Sequence, residues 1–315
     1  MLYDDPVIEG LTRSPKIKLG KSSIDFDNSV FDDAMKFVYQ NGSIAPEDIL
    51  KKDPRRLVGE LNNIFSKSIT QGLENIKLKN EIPETVLNAL KENVFVFSGI
   101  KTYHELKDAS LLLVTPEGQI KPFDRFYKDV QGINDTYNKR YLESEYGYAV
   151  HSAQMAGKWQ DFEADGDDYR LQYRTAGDDK VRADHAILRG TTLPMTDPFW
   201  DSYTPPLDWG CRCTVVQVRA GKYPESNSAE AQEYGKEATT RIGADGTNKL
   251  AMFRTNPGKT LKIFPDKHPY YPRGCENCDK NIRLAADIPG NELCQVCKIV
   301  KEMRKNSIKE SKENS

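Results

Sequence analysis

The sequence predicts an α+β protein with an α-rich N-terminal half, a central α+β domain and a C-terminal zinc-ribbon-like unit. Apolar residues recur at helical spacing over much of the first half, alternating and aromatic segments dominate the middle, and two Cys-x-x-Cys pairs lie near the end. We therefore divide the chain into a mostly helical region (1–121), a central domain (122–220) and a last region (221–315).

The first region is expected to consist of a loose arm followed by helices. Its first 25 residues show no clear periodicity. Helices are expected over 28–39, from Pro46 with a restart after Pro54, and from Pro83, because apolar residues return every three or four positions and proline suits the first helical turn.

The central domain is expected to begin with the longest helix, Phe123–Asp161, and to continue as strands and loops. LQYRTA alternates like a strand, and TVVQV at 214–218 predicts another. Between them, PFWDSYTPPLDWG is rich in Pro, Gly and aromatic residues. This composition predicts an ordered loop that is held by burial of Phe199, Trp200 and Trp209.

The last region is expected to hold a linker, a hairpin, a tetracysteine unit and a tail. A helix and a flexible loop are expected over 221–248, and the hairpin is expected to turn at Pro257-Gly258. The final fifteen residues are rich in Lys, Glu and Ser. We expect them to be disordered unless the tetracysteine unit extends a helix into them.

Composition limits the classes of function. The formal net charge of -2 provides no field that would draw the whole chain to DNA or to an anionic membrane. No apolar run reaches the roughly 18 residues of a membrane span, and MLYDDPVIEG lacks the pattern of a signal peptide. We therefore expect no membrane partner, and we expect the protein to stay in the compartment where it is made.

The six cysteines all occur in close pairs, which is typical of metal ligands in a reducing compartment. The pairs are Cys211/Cys213, Cys275/Cys278 and Cys294/Cys297. The last two pairs are separated by 15 residues, which matches zinc spacing. Four thiolates would close a tetrahedral structural zinc site and supply the folding free energy of a segment with little core.

Other readings of the tetracysteine unit remain open. Two redox Cys-x-x-Cys motifs or unligated cysteines are the alternatives to zinc. A DNA-binding zinc module is a further alternative. However, residues 260–315 carry 11 Lys and Arg against 8 Asp and Glu, and a four-thiolate zinc centre adds two negative charges, which is a weak footprint for phosphate binding.

The most informative segment is residues 173–218, which resembles the phage Mu F-like family of minor head, or head-morphogenesis, proteins. The family pattern is an Arg-Thr strand, R-x-x-H-x-x-L-x-G, P…D-P-F-W, P-P…W-x-C-R-C and an apolar strand. The matching residues are Arg174, Thr175, Arg182, His185, Leu188, Gly190, Pro194, Asp197, Pro198, Phe199, Trp200, Pro205, Pro206, Trp209, Cys211, Arg212 and Cys213.

The resemblance implies a structural component of a tailed-phage or prophage head rather than an enzyme. It implies a location in the bacterial cytoplasm during assembly and then in the virion head near the portal vertex. The implied partners are the portal protein and major capsid or scaffolding proteins, with packaged DNA as a further partner and no small-molecule substrate. Assistance in head assembly, DNA packaging or DNA ejection follows as the expected function, with Trp200 and Trp209 as docking anchors.

Three hypotheses remain for His185, Cys211 and Cys213. They could bind a metal, because Cys-x-Cys places alternate side chains on one face of a strand. They could form a Cys-His nucleophilic pair of a hydrolase or nuclease, with Arg212 and Asp184 as orienting groups. We favour the third, that they are buried and hydrogen-bonded parts of the fold.

Overall fold

The computed structural model describes residues 24–272 and 292–313, with side chains up to residue 309. Its helices are α1 (Asn28–Asn41), α2 (Lys52–Glu74), α3 (Glu84–Leu111), α4 (Phe123–Asn134), α5 (Leu142–Asp165), α6 (Ala183–Ala186), α7 (Phe199–Ser202), α8 (Ser228–Ala238), α9 (Pro257–Thr260) and α10 (Glu292–Glu313). Its strands are β1 (Tyr169–Arg174), β2 (Thr192–Leu193) and β3 (Thr214–Arg219). Short 3-10 turns lie at Pro46–Leu50, Gly166–Asp168 and Ala251–Phe253, and a π-helical segment at Asp135–Tyr141 joins α4 to α5.

Contacts between residues group the chain into two compact units. Among the described residues, the first unit contains 68–90 and 147–265, and the second contains 24–67, 91–146, 266–272 and 292–313. Each unit combines segments that are distant in sequence, so packing rather than chain order defines it. The division at residues 121 and 220 stays a prediction.

The first unit contains a three-stranded antiparallel sheet in the order β2-β1-β3. In its register, Leu171 of β1 faces Leu193 of β2, and Tyr173 faces Val215 of β3. These apolar residues are buried together with Trp159 and other side chains of α5. Val, Leu and Tyr suit a half-buried pleated surface, which explains why these short segments form strands.

The helices of the first unit approach each other at small residues. A Cβ atom on Gly72 of α2 would lie 2.5 Å from the carbonyl oxygen of Val150 in α5. A Cβ atom on Gly157 would lie 2.8 Å from a methyl group of Leu73. Small residues of α5, among them Gly157 and the fully buried Ala153, therefore allow close helix packing.

The second unit is helical in its described part, and it buries charge. Phe31 and other apolar residues of α1 are fully buried, and Gly99 of α3 leaves room for Val300 of α10. Lys101 is also fully buried, and its ammonium group donates to Glu145 at 2.6 Å. A buried charge needs such a partner, because its desolvation is costly.

Most predicted elements are confirmed. Helices form near residues 28, 52 and 84, and β3 covers the predicted strand at 214–218. The long helix predicted over Phe123–Asp161 follows a helical path, but the π-helical segment interrupts it. Within the described residues, no helix combines the length and the apolar content that a bilayer crossing requires. The loose arm lies outside the described residues.

The hairpin predicted at Pro257-Gly258 is wrong. Pro257 instead begins α9, because the side chain of Asn256 accepts hydrogen bonds from the backbone N–H groups of Gly258 and Lys259. Asn is a strong helix cap, and proline is favoured at the first helical position. Capping chemistry therefore outweighs the turn signal of the Pro-Gly pair.

The last fifteen residues follow the exception stated for them: α10 begins at Glu292, contains Cys294 and Cys297, and continues through the tail to Glu313, so the tail is not disordered over that range. Val296, Val300 and Met303 are buried along one face of this helix. Their spacing of four and three residues provides an apolar stripe, of which only Met303 lies in the last fifteen residues. The predicted zinc-ribbon-like unit rests partly on residues outside the described ranges and stays a prediction.

Candidate functional site

The candidate site is a His-Cys-Cys cluster in the first unit. His185 lies on α6, whose first turn forms through hydrogen bonds from the N–H groups of His185 and Ala186 to the carbonyl of Arg182. Both cysteines lie in the loop segment directly before β3. Gly210 precedes them with φ of +66°, a conformation that favours glycine, and it redirects the chain so that Cys211 enters the core.

The three side chains converge. The sulfur of Cys211 lies 3.5 Å from Nδ1 of His185, and the sulfur of Cys213 lies 3.9 Å from the same nitrogen. The three groups could hold a metal ion, since their ligand atoms all lie within 4.8 Å of one another. His185 is 1% exposed, Cys211 3% and Cys213 7%, so the cluster is shielded from solvent.

The pKa values of the two thiols are shifted in opposite directions. A hydrogen bond with Cys213 holds the pKa of Cys211 well below its ordinary value, and His185 lowers this pKa further. The same hydrogen bond raises the pKa of Cys213 well above its ordinary value. Burial is the largest single influence on the pKa of His185 and lowers it, but the hydrogen bond with Cys211 and the charges of Cys211 and Asp184 together outweigh burial and raise that pKa overall. Cys211 is therefore the sulfur with thiolate character.

The pocket above the cluster has charged walls. Its lining consists of Ala176, Lys180, Val181, Arg182, His185, Gly210, Cys211, Arg212 and Cys213. Arg212 makes two hydrogen bonds of 2.6 Å to the carboxylate of Asp178. Arg182 donates to the carbonyl of Trp209 at 2.7 Å and lies 3.5 Å from the carboxylate of Asp208. Both arginines therefore have acidic partners that fix their positions.

The aromatic loop beside the cluster is held by buried polar contacts. Asp197 accepts from the N–H of Phe199 at 2.9 Å and from the hydroxyl of Ser228 at 3.0 Å. Trp200 donates from Nε1 to the carbonyl of Pro194 at 3.0 Å. The carbonyl of Trp200 accepts from the side chain of Asn256. These bonds satisfy backbone groups that burial would otherwise leave without partners.

The expectation that Trp200 is a docking anchor is wrong, because its side chain is buried. Its side chain is 0% exposed, and its ring packs edge-on against Phe199 at 4.8 Å between centroids. It therefore contributes to the core rather than to a surface. Trp209 is half-buried and contacts the rings of Tyr148 and Phe253.

The other motif residues have structural positions around the loop. Arg174 is buried at the end of β1 and lies 5.7 Å from the ring of Tyr223. Gly190 has φ of +87°, and its N–H donates to the carbonyl of Tyr173, so it forms the turn into β2. Pro206 follows Pro205 through a cis peptide bond and is buried.

Sequence reasoning missed two residues of α5 near the cluster. His151 is buried, and its pKa is lowered by burial and raised in part by the nearby Cys211. Lys158 donates to the hydroxyl of Thr214 at 2.5 Å, and burial lowers its pKa to about 8. Nothing in their spacing connects them to the cysteines, because only tertiary packing brings α5 to this place.

The structure describes two of the four cysteines that are the predicted zinc ligands. Cys294 and Cys297 lie in the first turns of α10. Residues three apart share a helix face, so the two thiols are on the same side of α10. Cys275 and Cys278 lie outside the described residues.

A family profile described as "Phage Mu protein F like protein" matches residues 65–216. This match confirms the resemblance predicted from residues 173–218 and extends it into the N-terminal region. No solved structure matches the chain.

Two curated relatives share part of this segment. The Mu-like prophage FluMu F protein of Haemophilus influenzae is 37% identical over 31% of this chain and 24% of its own length. A protein F of Escherichia phage Mu, which is named for capsid assembly, is 31% identical over 27% of this chain and 20% of its own length. The chain therefore aligns with about a quarter or less of the length of these relatives.

Proposed function

We propose, from the membership of residues 65–216 in the Phage Mu protein F like family, that this chain is a structural head-assembly protein of a tailed phage or prophage. The name of the phage Mu relative refers to capsid assembly, which supports this function. The protein would act in the bacterial cytoplasm during assembly and remain in the head. The family match is the observation on which the proposal depends.

The geometry of the motif supports a scaffold. Asp197 and Asn256 bind backbone groups of the aromatic loop, and Trp200 fills the core. A loop that is fixed in this way presents a preformed surface, which lowers the entropic cost of docking.

The finer proposal is that the protein docks near the portal vertex and helps assembly, packaging or ejection of DNA. Its partners would be the portal protein and major capsid or scaffolding proteins. Leu111, Val114 and Ile120 of the second unit support a docking role, since they are 74%, 47% and 73% exposed. We call these three residues the apolar surface. Exposed apolar groups that lie close together often mark protein interfaces. Val114 and Ile120 are bridged as antiparallel neighbours.

Co-expression with the portal and capsid proteins of the same phage tests this proposal. The wild-type chain is expected to co-purify with one of them and to enter assembled heads. Ile120→Ser should weaken this association without lowering the melting temperature. Ile242→Ser is the matched control, because Ile242 is 61% exposed beside a similar bridged turn in the first unit. Absence of the wild-type chain from heads and from both complexes would contradict the proposal.

A hydrolase or nuclease that uses His185 with Cys211 or Cys213 is the second candidate. The lowered pKa of Cys211 and its 3.5 Å approach to His185 favour it. Two features count against it. Cys211 is only 3% exposed, and Nε2 of His185 is buried without a hydrogen-bond partner in the described part of the chain, where a triad would have an orienting group.

Turnover assays on peptide, ester and nucleic-acid substrates separate the two candidates. The head-assembly proposal predicts no turnover by the purified chain. Turnover that disappears after alkylation of the thiols and in Cys211→Ala would establish the enzyme instead.

The structural zinc of the tetracysteine unit is a further part of the proposal. Cys275, Cys278, Cys294 and Cys297 would be its ligands, and local stability or protein docking its purpose. The double variant Cys294→Ser, Cys297→Ser should contain one zinc ion fewer per chain than wild type. Equal zinc content in the double variant and in wild type would contradict this site. A steep salt dependence of DNA binding by the chain would instead favour the alternative of a DNA-binding zinc module.

A further inference from the structure

The His-Cys-Cys cluster has the dimensions of a metal site. In tetrahedral zinc coordination, bonds of about 2.3 Å to sulfur and about 2.0–2.1 Å to nitrogen place ligand atoms about 3.6–3.8 Å apart. The observed distances from the two sulfurs to Nδ1 of His185 are 3.5 and 3.9 Å. Both sulfurs therefore lie at the separation that one shared ion imposes.

Hydrogen bonds also link the three groups, since Cys211 is bonded to both Cys213 and His185, but they account for only one thiol directed at Nδ1 of His185. Nδ1 of a neutral imidazole has one lone pair, so it accepts one strong hydrogen bond from a thiol. Here two sulfurs from Cys211 and Cys213 point towards that single nitrogen. A cation between the three atoms would satisfy all of them at once.

The donor set and the local charges suit a divalent cation. Thiolate and imidazole are the preferred ligands of zinc. Two thiolates, from Cys211 and Cys213, would neutralise its charge. Arg182 and Arg212, which line the pocket, are each paired with a carboxylate, which reduces their repulsion of a cation.

We propose that His185, Cys211 and Cys213 form a second, mononuclear zinc site in which a water molecule on the pocket side completes the tetrahedron. The site would join α6 to the segment before β3 and so fix the closure of the aromatic loop. Binding would release the protons of the two thiols and keep Nδ1 of His185 unprotonated. This site is separate from the tetracysteine unit and does not depend on the proposed function.

The test is the zinc content of the full-length protein, measured by inductively coupled plasma mass spectrometry after purification under reducing conditions. Wild type is expected to contain one zinc ion more per chain than Cys211→Ser, Cys213→Ser, whatever the occupancy of the tetracysteine unit. Val215→Ala is the matched control, since Val215 is buried two residues beyond Cys213 and offers no ligand. Its zinc content should equal that of wild type. Equal zinc content in the double variant would overturn the proposal.

A second measurement needs no substitution and covers the case in which the variants do not fold. X-ray absorption at the zinc edge of the wild-type chain should show nitrogen as well as sulfur in the first coordination shell. A shell of sulfur alone would overturn the proposal. A disulfide between Cys211 and Cys213 in the purified chain, found by mass spectrometry of alkylated peptides, would also overturn it.

Discussion

Replacement of Trp200 by alanine tests whether the aromatic loop is core or contact surface. The side chain is 0% exposed, it packs on Phe199, and its N–H is bonded to the carbonyl of Pro194. Removal of a buried Trp side chain costs about 3–5 kcal/mol, because it removes buried contacts and leaves a cavity. The lost hydrogen bond adds about 1 kcal/mol.

A loss of this size is a large part of the total stability of a domain, which is about 5–15 kcal/mol. Urea unfolding followed by circular dichroism is the suitable assay, because fluorescence would lose one of the three Trp probes. We expect the midpoint for Trp200→Ala to fall well below that of wild type. Trp200→Phe is the matched control; it retains a ring but loses the hydrogen bond to Pro194, so its midpoint should lie between the two.

The opposite pattern would refute this reasoning. If Trp200→Ala unfolded at the wild-type midpoint but no longer entered heads, Trp200 would be a contact residue. The assignment of the loop as a buried scaffold would then be wrong.

The remaining predictions concern a cap, a close contact and a buried acid. Asp197→Ala should lower the free energy of unfolding by about 1–2 kcal/mol in urea titrations, because the N–H of Phe199 and the hydroxyl of Ser228 lose their acceptor; an unchanged midpoint would contradict this role. Gly258→Ala should destabilise by about 1–3 kcal/mol, since a Cβ atom there would lie 2.1 Å from Cβ of Trp159; Gly118→Ala, where a Cβ meets no neighbour and only the φ of +83° opposes it, is the comparison. Burial raises the pKa of Glu105 to about 8 from 4.5, so the folded chain holds a proton that the unfolded chain releases, and stability should fall as pH rises from 4.5 to 8. In Glu105→Gln this contribution should disappear from the pH profile of the urea midpoint, and an identical profile would contradict the raised pKa.

Local sequence patterns predicted the elements whose signals are local. TVVQV alternates and forms β3, and the helices near residues 28, 52 and 84 follow their apolar periodicity. The turn at Pro257-Gly258 failed because the cap from Asn256 is stronger than the turn signal. The tail is helical by the exception allowed for it, because the burial of Val296, Val300 and Met303 stabilises a helix that begins in the tetracysteine region and continues into the last residues.

The candidate site was predictable only in part for the same reason. The alternation of Cys211 and Cys213 indicated that both sulfurs could reach one point, and the structure places His185 at that point. The approach of His151 and Lys158 could not be predicted, because α5 is distant in sequence and packs there through tertiary contacts. The burial of Trp200 was predicted from composition, but its consequence, that this side chain is unavailable to a partner, required the structure.

The most direct test of a structural role in the head is quantitative mass spectrometry of heads assembled from the co-expressed head genes of the phage. Our account predicts that this chain is present in purified heads in a few copies per particle. It also predicts that the purified chain turns over no peptide, ester or nucleic-acid substrate, whether or not its thiols are alkylated. Heads that assemble fully without the chain, together with a purified chain that turns over substrate through Cys211, would contradict it.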